Sequence, residues 1–170
     1  MTTRALASAL LLSTLWAGEP ARPAPAFTML RLNQPSIRLS QYRGKVVALA
    51  FIATTCPHCQ QFTVELNQID RDYSHRGVQI VECAFNDEGP QAMREFLERF
   101  EPRFPVTYST PAAVSAFLQR TMLDPRPLRV PVLVLIDRAG MIREEIGGED
   151  NFFQNPGANL RAKLDKMLAR

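Results

Sequence analysis

Hydrophobic and polar positions follow two alternating periods after residue 27, and these predict a series of strands and helices. Positions 46–52 (VVALAFI) form an unbroken, partly β-branched apolar run, which is typical of a strand covered on both faces. Apolar residues then recur at helical spacing, at Phe62, Leu66, Ile69 and Tyr73. Gly77 ends this predicted helix, and positions 78–85 form the next buried strand. The first part of the chain therefore has the order strand, helix, strand.

The second half of the chain continues with shorter elements. Pro90 opens a helix with an apolar face, and an extended piece is predicted at 104–108. Two strands at 132–136 and 141–146 are separated by the turn DRAG, which predicts a hairpin, and apolar positions over 160–168 mark a closing helix. Crossover helices favour parallel pairing in the first half, and the hairpin adds antiparallel edge strands. The sequence thus predicts one α/β domain with a mixed central sheet.

Length and composition limit the classes of protein to which the chain can belong. Its 170 residues suffice for one globular domain, and 46% hydrophobic with 22% charged residues is typical of a protein with a buried core. No uncharged apolar run reaches the roughly 18 residues of a membrane-spanning helix, which excludes a multispan membrane protein. The net charge of +3 comes from 20 basic and 17 acidic residues without a dense basic run, so no nucleic-acid partner is predicted.

Residues 1–26 have the layout of a secretory signal peptide. One arginine is followed by the apolar stretch 5–17 and then by a polar, proline-rich segment. This layout predicts export to the periplasm or another extracytoplasmic compartment, with an ordinary N-terminal helix as the alternative. Because the cleavage site is poorly defined, an uncleaved anchor with loose membrane attachment stays open, and the prolines of this segment predict an extended tether in either case. We therefore expect the folded domain to span residues 27–170.

Three cysteines are too few for a disulfide scaffold, and two of them, Cys56 and Cys59, form a C-x-x-C pair. Such a pair either contributes to a metal site or cycles between dithiol and disulfide. A structural zinc site needs four ligands, usually as two clusters, whereas His58, His75 and Cys83 are single residues in no second cluster. The sequence therefore favours redox chemistry and predicts neither a metal ion nor a bound cofactor.

The position of the pair between a buried strand and a helix gives the redox interpretation its physical basis. Unpaired amides and the helix dipole at a helix N-terminus favour negative charge, which stabilises a thiolate on Cys56. Thr54 or Thr55 is predicted to cap the helix, and Pro57 suits its first turn because no amide hydrogen is needed there. Cys59, one turn further on, is expected to face inward and to resolve a mixed disulfide.

His58 lies between the two cysteines and adds a second stabilising contribution. As an imidazolium or an N–H donor beside the sulfur, it favours the thiolate of Cys56. Stabilising the reduced form raises the reduction potential, which makes the pair a stronger oxidant. The alternative is a solvated histidine on the first helical turn with no role in exchange.

Residues 37–59 (IRLSQYRGKVVALAFIATTCPHC), together with Val130 and Pro131 ahead of the predicted hairpin, resemble the thioredoxin superfamily. They look most like the exported TlpA/ResA-type thiol-disulfide oxidoreductases, also described as redoxin or AhpC/TSA-like. The Pro-His dipeptide is similar to that of DsbA-type oxidants. The resemblance implies a thioredoxin-like three-layer α/β/α sandwich with Cys56 as nucleophile and Cys59 as resolving thiol.

The resemblance also implies a substrate surface around the pair. Pro131 would be the cis-proline that faces the cysteines, and the backbone of Val130 would pair with an extended substrate segment. Pro57 and Thr55 complete this surface, with Thr55 at the position where the family often has tryptophan. From the residues alone, an X-Pro bond ahead of a buried strand suits a cis peptide, but either isomer is open.

Some positions depart from the family pattern. Ala50 and Phe62 stand where thioredoxins and some ResA-type proteins, respectively, have an acidic residue. Glu82 in the next strand is therefore a candidate substitute for proton transfer to the resolving thiol. Leu49 and Ala53 replace the Pro and Thr of peroxide-reducing relatives, which argues against peroxidase activity.

These features together predict an enzyme, a thiol-disulfide oxidoreductase that exchanges disulfides with protein thiols and is reset by a redox partner protein. The direction stays open, since the Pro-His dipeptide favours an oxidant whereas the TlpA/ResA-like frame favours a reductant. The alternative from another class is a non-catalytic thioredoxin-fold binding module or a metallochaperone. Asn86 and Asp87 end a parallel strand on the same side as the motif, which makes them candidates for contact with substrate.

Overall fold

The computed structural model describes residues 21–86, 89–121 and 128–169. In these residues one mixed sheet of eight strands is flanked by four α-helices. The strands are β1 (Arg22–Pro23), β2 (Thr28–Arg31), β3 (Gln34–Arg38), β4 (Val46–Ile52), β5 (Val78–Ala84), β6 (Val106–Tyr108), β7 (Val132–Ile136) and β8 (Met141–Ile146). The helices are α1 (Pro57–Tyr73), α2 (Gly89–Phe100), α3 (Pro111–Phe117) and α4 (Pro156–Leu168). The strands lie across the sheet in the order β1-β8-β7-β4-β5-β6-β2-β3.

Helices cover both faces of the sheet and form the three layers expected from the sequence. α1, α2 and α4 contribute to a core cluster on one face, through residues that include Phe62, Phe96 and Leu160. α3 contributes Val114 and Phe117 to the cluster on the other face. The predicted α/β/α sandwich is therefore confirmed.

β4 lies in the middle of the sheet, parallel to β5 and antiparallel to β7. All seven of its side chains are buried, and successive ones alternate between the two core clusters. Ala48 and Ala50 belong to the cluster beneath α1, whereas Leu49 and Phe51 belong to the cluster with α3. Burial on both faces explains the unbroken apolar run in the sequence. It also holds the carboxyl end of β4 rigidly, and the C-x-x-C segment leaves the sheet from that end.

The folded domain begins before residue 27, the boundary expected from the sequence. Arg22 and Pro23 form β1, which pairs antiparallel with β8 at one edge of the sheet. Arg22 donates a hydrogen bond to Glu145 at 3.2 Å, and Phe27 packs edge-to-face against Phe51 with ring centroids 5.7 Å apart. A proline-containing segment suits an edge strand because the missing amide hydrogen is not needed on the open side. The last part of the expected tether is therefore part of the sheet.

The predicted hairpin is confirmed as β7 and β8, but β7 is not the edge strand that the sequence led us to expect. It lies between β4 and β8, with β1 beyond β8. Its run VLVLI is buried at every position, which suits an interior strand.

Residues 1–20 of the segment 1–26, which the sequence predicts to be a signal peptide or an anchor with a tether, lie outside the described residues. In the part of the chain that the structure describes, no helix combines the length and the hydrophobicity needed to cross a membrane.

Candidate active site

The C-x-x-C segment lies where the chain leaves β4 and enters α1. Cys56 is the N-cap residue, with φ −77° and ψ 119°, and its carbonyl accepts a hydrogen bond from the amide of Gln60 at 3.0 Å. Pro57 occupies the first turn, as predicted. The predicted cap by Thr54 or Thr55 is wrong, because the turn after β4 leaves both threonines outside the helix and Cys56 takes the cap position. The side chain of Cys56 therefore lies at the positive end of the α1 dipole.

The two cysteines of the pair differ in exposure. Both are free thiols, and Cys56 is partly exposed whereas Cys59 is fully buried, as predicted. Burial raises the pKa of the Cys59 thiol well above its ordinary value, and the hydrogen bond with the Ala53 backbone opposes this rise. A hydrogen bond with the Cys56 side chain and the charge of Glu82 raise the Cys59 pKa further. The site thus has an accessible outer sulfur in contact with an inner sulfur that carries its proton in the dithiol form.

The loop ahead of Cys56 is held by hydrogen bonds to the end of β5. The Thr54 amide donates to Asn86 Oδ1 at 3.0 Å, and Asn86 Nδ2 donates to Thr54 Oγ1 at 2.9 Å. Gln60 Nε2 donates to the Thr54 carbonyl at 2.8 Å from the first turns of α1. The sequence pattern predicted that Asn86 contacts substrate and did not reveal this anchoring role. Thr54 follows β4 and Asn86 follows β5, and these two strands are parallel neighbours. Because their carboxyl ends lie at the same edge of the sheet, the sequence pattern could have predicted contact between Thr54 and Asn86.

Asn86→Ala is expected to destabilise the protein and to loosen the loop that carries Cys56. The substitution removes the two hydrogen bonds that the Asn86 side chain forms with Thr54. We therefore expect the free energy of unfolding to fall by about 1–3 kcal/mol. Urea denaturation measures this change. Gln68→Ala, at an exposed amide of α1, is the control and should leave the midpoint unchanged. If the urea midpoint of Asn86→Ala equals that of the wild type, Asn86 does not anchor the loop.

The peptide bond between Val130 and Pro131 is cis, and Pro131 is buried immediately ahead of β7. The loop after β8 packs closely against this segment. The Gly148 amide donates to the Arg129 carbonyl at 3.0 Å, and a Cβ at Gly148 would lie 2.8 Å from the carbonyl oxygens of Arg129 and Val130. Glycine is therefore required at position 148 for this close approach.

A groove of about 610 Å³ lies between the start of α1, the segment with Pro131 and the loop after β8. His58, Pro131 and Phe153 are among the residues that line it. His58 is exposed on the first turn of α1, and Pro57 and Thr55, which precede it in the chain, are exposed as well. The site therefore offers an open surface beside His58, two residues after the partly exposed Cys56.

The structure brings the two separate parts of the predicted site together. Cys56 and Val130 pack against the same core cluster, and His58 and Pro131 line the same groove. Asp87, the second residue of the candidate substrate-contact dipeptide, lies outside the described residues. Within the described ranges, no group of three or more His, Cys, Asp or Glu residues is placed to hold a metal ion.

Comparison with known sequences points to one family. The family model described as Redoxin matches residues 18–159. A thiol-disulfide oxidoreductase ResA from Bacillus thuringiensis is 28% identical over 131 residues, which are 77% of this chain and 71% of the relative. A thiol-disulfide oxidoreductase ResA from Geobacillus kaustophilus is 32% identical over 126 residues, which are 74% of this chain and 67% of the relative.

Comparison with solved structures confirms the predicted thioredoxin-like fold. A thiol:disulfide interchange protein of the thioredoxin family from Chlorobium tepidum superposes with a TM-score of 0.73 at 22% identity, over 89% of this chain and 99% of that one. A putative thiol:disulfide interchange protein DsbE from the same organism gives a TM-score of 0.69 at 23% identity, over 87% and 99% of the two chains. At these sequence identities the structural similarity establishes the fold only, so the chemistry is inferred from the residues of the site.

Proposed function

The chain belongs to the Redoxin family, and we propose that Cys56 and Cys59 are the pair through which it acts as a thiol-disulfide oxidoreductase on protein thiols. One observation carries this assignment: a partly exposed sulfur at the N-terminus of α1 lies in contact with a fully buried one. An accessible thiolate reacts with a thiol or disulfide of another protein. A buried neighbour reacts only with the sulfur beside it, which makes it the resolving group.

In the oxidising direction, a substrate thiolate attacks Cys56 Sγ of the Cys56–Cys59 disulfide. The bond between the two protein sulfurs breaks, Cys59 leaves as a thiolate that takes up a proton, and a mixed disulfide forms at Cys56. A second substrate thiolate then attacks the substrate sulfur of this bond and releases the protein as the dithiol. In the reducing direction each step is reversed, so Cys56 attacks first and Cys59 resolves.

The exposed residues around the outer sulfur would contact the substrate. His58 is placed on the first turn of α1, where a ring N–H or an imidazolium favours negative charge on Cys56 and on the departing sulfur. Pro57 and Thr55 flank the cysteine and leave its approach open, since neither side chain is large enough to cover it. The small Thr55 therefore favours access by a folded or partly folded protein chain.

Val130 and Pro131 would orient the substrate. The groove beside Pro131 and His58 is open enough for an extended segment, and the backbone of Val130, next to Pro131, would form hydrogen bonds with one. Pairing with main-chain groups tolerates many substrate sequences, whereas the lining side chains select among them. Because proline has no amide hydrogen, Pro131 would leave this part of the backbone without a hydrogen-bond donor to the outer sulfur.

The N-terminal sequence supports an extracytoplasmic location. Residues 1–26 have the layout of a signal peptide, and disulfide exchange persists in oxidising compartments. A redox partner protein, rather than a small cofactor, would reset the pair there. The direction of net electron flow follows the reduction potential of the Cys56–Cys59 couple, which equilibration with glutathione buffers measures.

Cys59→Ser is expected to trap the mixed disulfide on Cys56. The substitution leaves the outer sulfur able to attack but removes the thiol that resolves the adduct. Incubation with an oxidised protein substrate such as insulin, followed by intact mass spectrometry, should detect a covalent adduct that a reducing agent releases. The reduced wild-type protein should show little adduct and should instead reduce one substrate disulfide per molecule, ending as the Cys56–Cys59 disulfide.

Cys83→Ala is the matched control for this experiment. Cys83 is buried in the core cluster on the opposite face of the sheet, so its removal should change neither adduct formation nor turnover. An adduct that forms equally well after Cys56→Ser, or no adduct on Cys59→Ser, would contradict the assigned roles.

A further inference from the structure

Glu82 places a carboxyl group inside the core beneath the C-x-x-C pair. It lies on β5 directly opposite Ala50 of β4 in the parallel register. Its neighbours on the same side of β5, Ile80 and Ala84, belong to the core cluster that also contains Cys59. Because side chains alternate along a strand, the Glu82 carboxyl points toward α1. The small Ala50 side chain leaves room for it in this layer.

The carboxyl of Glu82 is connected to the backbone of Cys59 through one hydroxyl group. Thr63 Oγ1 lies 2.7 Å from Glu82 Oε1 and 3.0 Å from the Cys59 carbonyl oxygen. When the carboxyl is protonated, it can donate to the hydroxyl, which in turn donates to the carbonyl. When the carboxyl is ionised, the hydroxyl donates to it instead, so the bridge serves both protonation states.

The second carboxyl oxygen has no such partner. Among the described residues, Glu82 Oε2 is buried without a hydrogen bond, and the whole side chain is 0% exposed. A buried polar atom without a partner is costly, and a redox or catalytic role is one reason why a protein retains such an atom. The unbonded oxygen is therefore the atom on Glu82 that is free to accept or release a proton.

Among the described residues, few titratable groups lie near this carboxyl. On α1 the charge of Glu82 acts on the thiol of Cys59, which is in turn hydrogen-bonded to the side chain of Cys56. Its register neighbours, Ala50 on β4 and Val106 on β6, carry no ionisable group. In the described part of the chain, α2 and α4 contribute apolar side chains to this core, namely Met93, Phe96, Leu160 and Leu164. Burial raises the pKa of Glu82 to about 8, and the hydrogen bond with Thr63 opposes this rise.

We infer that Glu82 takes the proton from Cys59 when the pair is oxidised and returns it when the pair is reduced. This inference rests on the proposed exchange function. Cys59 needs such a partner because it is buried and holds its proton in the dithiol form, and a thiol must lose that proton before it can attack.

The proton and the electrons balance in both directions. During reduction of a substrate, the Glu82 carboxylate takes the Cys59 proton, the Cys59 thiolate attacks Cys56 Sγ, and the substrate leaves as a thiolate. During oxidation of a substrate, its thiolate attacks Cys56 Sγ, and Cys59 leaves with the proton from the Glu82 carboxylic acid. The resolving step should therefore become faster as the pH rises through the pKa of Glu82, and the leaving step should become slower.

Stopped-flow reaction with excess dithiobis(nitrobenzoate) separates the two cysteines. Attack by Cys56 releases the first coloured thiolate, and attack by Cys59 on the resulting mixed disulfide releases the second. For the wild type we expect the second phase to increase with pH around a midpoint near 8. In Glu82→Gln the first phase should be unchanged, whereas the second should slow about 100-fold and lose that midpoint, since general-base assistance is removed. Glu98→Gln, at an exposed carboxyl of α2, should behave as the wild type.

The outcomes distinguish this inference from the proposed function. Absence of the first phase in the wild type would overturn the function itself, because that phase needs only Cys56. A normal first phase with an unchanged second phase in Glu82→Gln would overturn the role of Glu82 alone. Should the variant fail to fold, the carbon-13 shift of the Glu82 carboxyl in the wild-type dithiol form provides the test. Titration near 8 supports the inference, and titration in the ordinary carboxyl range overturns it.

Discussion

Cys56→Ser is expected to abolish disulfide exchange. The outer sulfur forms the covalent bond to substrate in both directions, and a serine hydroxyl at the N-terminus of α1 neither ionises near neutral pH nor forms a disulfide. Removing a covalent nucleophile costs at least about a thousandfold in rate, so turnover should fall to the uncatalysed level. The reduction of insulin disulfides by a dithiol, followed as turbidity, measures this loss.

Substitutions of the other two cysteines serve as comparisons for Cys56→Ser. Cys59→Ser should also stop turnover but should retain one reactive thiol per molecule, because the partly exposed Cys56 is still present. Cys83→Ala should retain full activity, since this thiol is buried in the cluster with α3. Residual turnover by Cys56→Ser above that of a Cys56→Ser, Cys59→Ser double variant would show that another group carries the reaction.

The spacing of apolar residues predicted the fold correctly because it directly reflects which side chains are buried. The unbroken run of β4 and the helical spacing of Phe62, Leu66 and Ile69 correspond to side chains that the structure buries completely or nearly so. Both patterns are properties of single segments, so they can be recognised without knowing which elements are neighbours. For the same reason the sequence located Cys56 and Cys59 at a strand-to-helix junction.

Features that depend on pairing between distant segments could not be predicted in the same way. The N-cap of α1 is Cys56 rather than a threonine, because the turn after β4 leaves Thr54 outside the helix, where its hydroxyl accepts a hydrogen bond from Asn86 after β5. β1 joins the sheet only because Arg22 meets β8, far away in the chain. Glu82 was recognisable as an acidic residue in a buried strand, but its position opposite Ala50 and beside Thr63 depends on the β4–β5 register and on the packing of α1.

Glu82 also leads to an expected pH dependence of stability. Its pKa is raised by burial to about 8 in the folded protein, whereas an unfolded chain has the ordinary value of 4.5. Between these two values the folded state holds a proton that the unfolded state has released, so stability falls as the pH rises through this window. Below this window Glu82 is protonated in both the folded and the unfolded state, and above it Glu82 is ionised in both. Its contribution to the free energy of unfolding is therefore constant outside the window. The loss over the whole window is about 5 kcal/mol, at about 1.4 kcal/mol per pH unit.

Glu82→Gln should therefore gain stability relative to the wild type as the solution becomes more alkaline. The amide does not titrate, and every other ionisable group cancels when the two unfolding curves are compared at each pH. Urea denaturation at about pH 5 and about pH 9, which spans most of this window, should show the difference in unfolding free energy shifting by about 4 kcal/mol in favour of the variant. Glu98→Gln, where the carboxyl is exposed, should show a difference that does not change with pH. Parallel curves for Glu82→Gln and the wild type would mean that the buried carboxyl is already ionised near pH 5, with a partner that stabilises its charge in the folded protein.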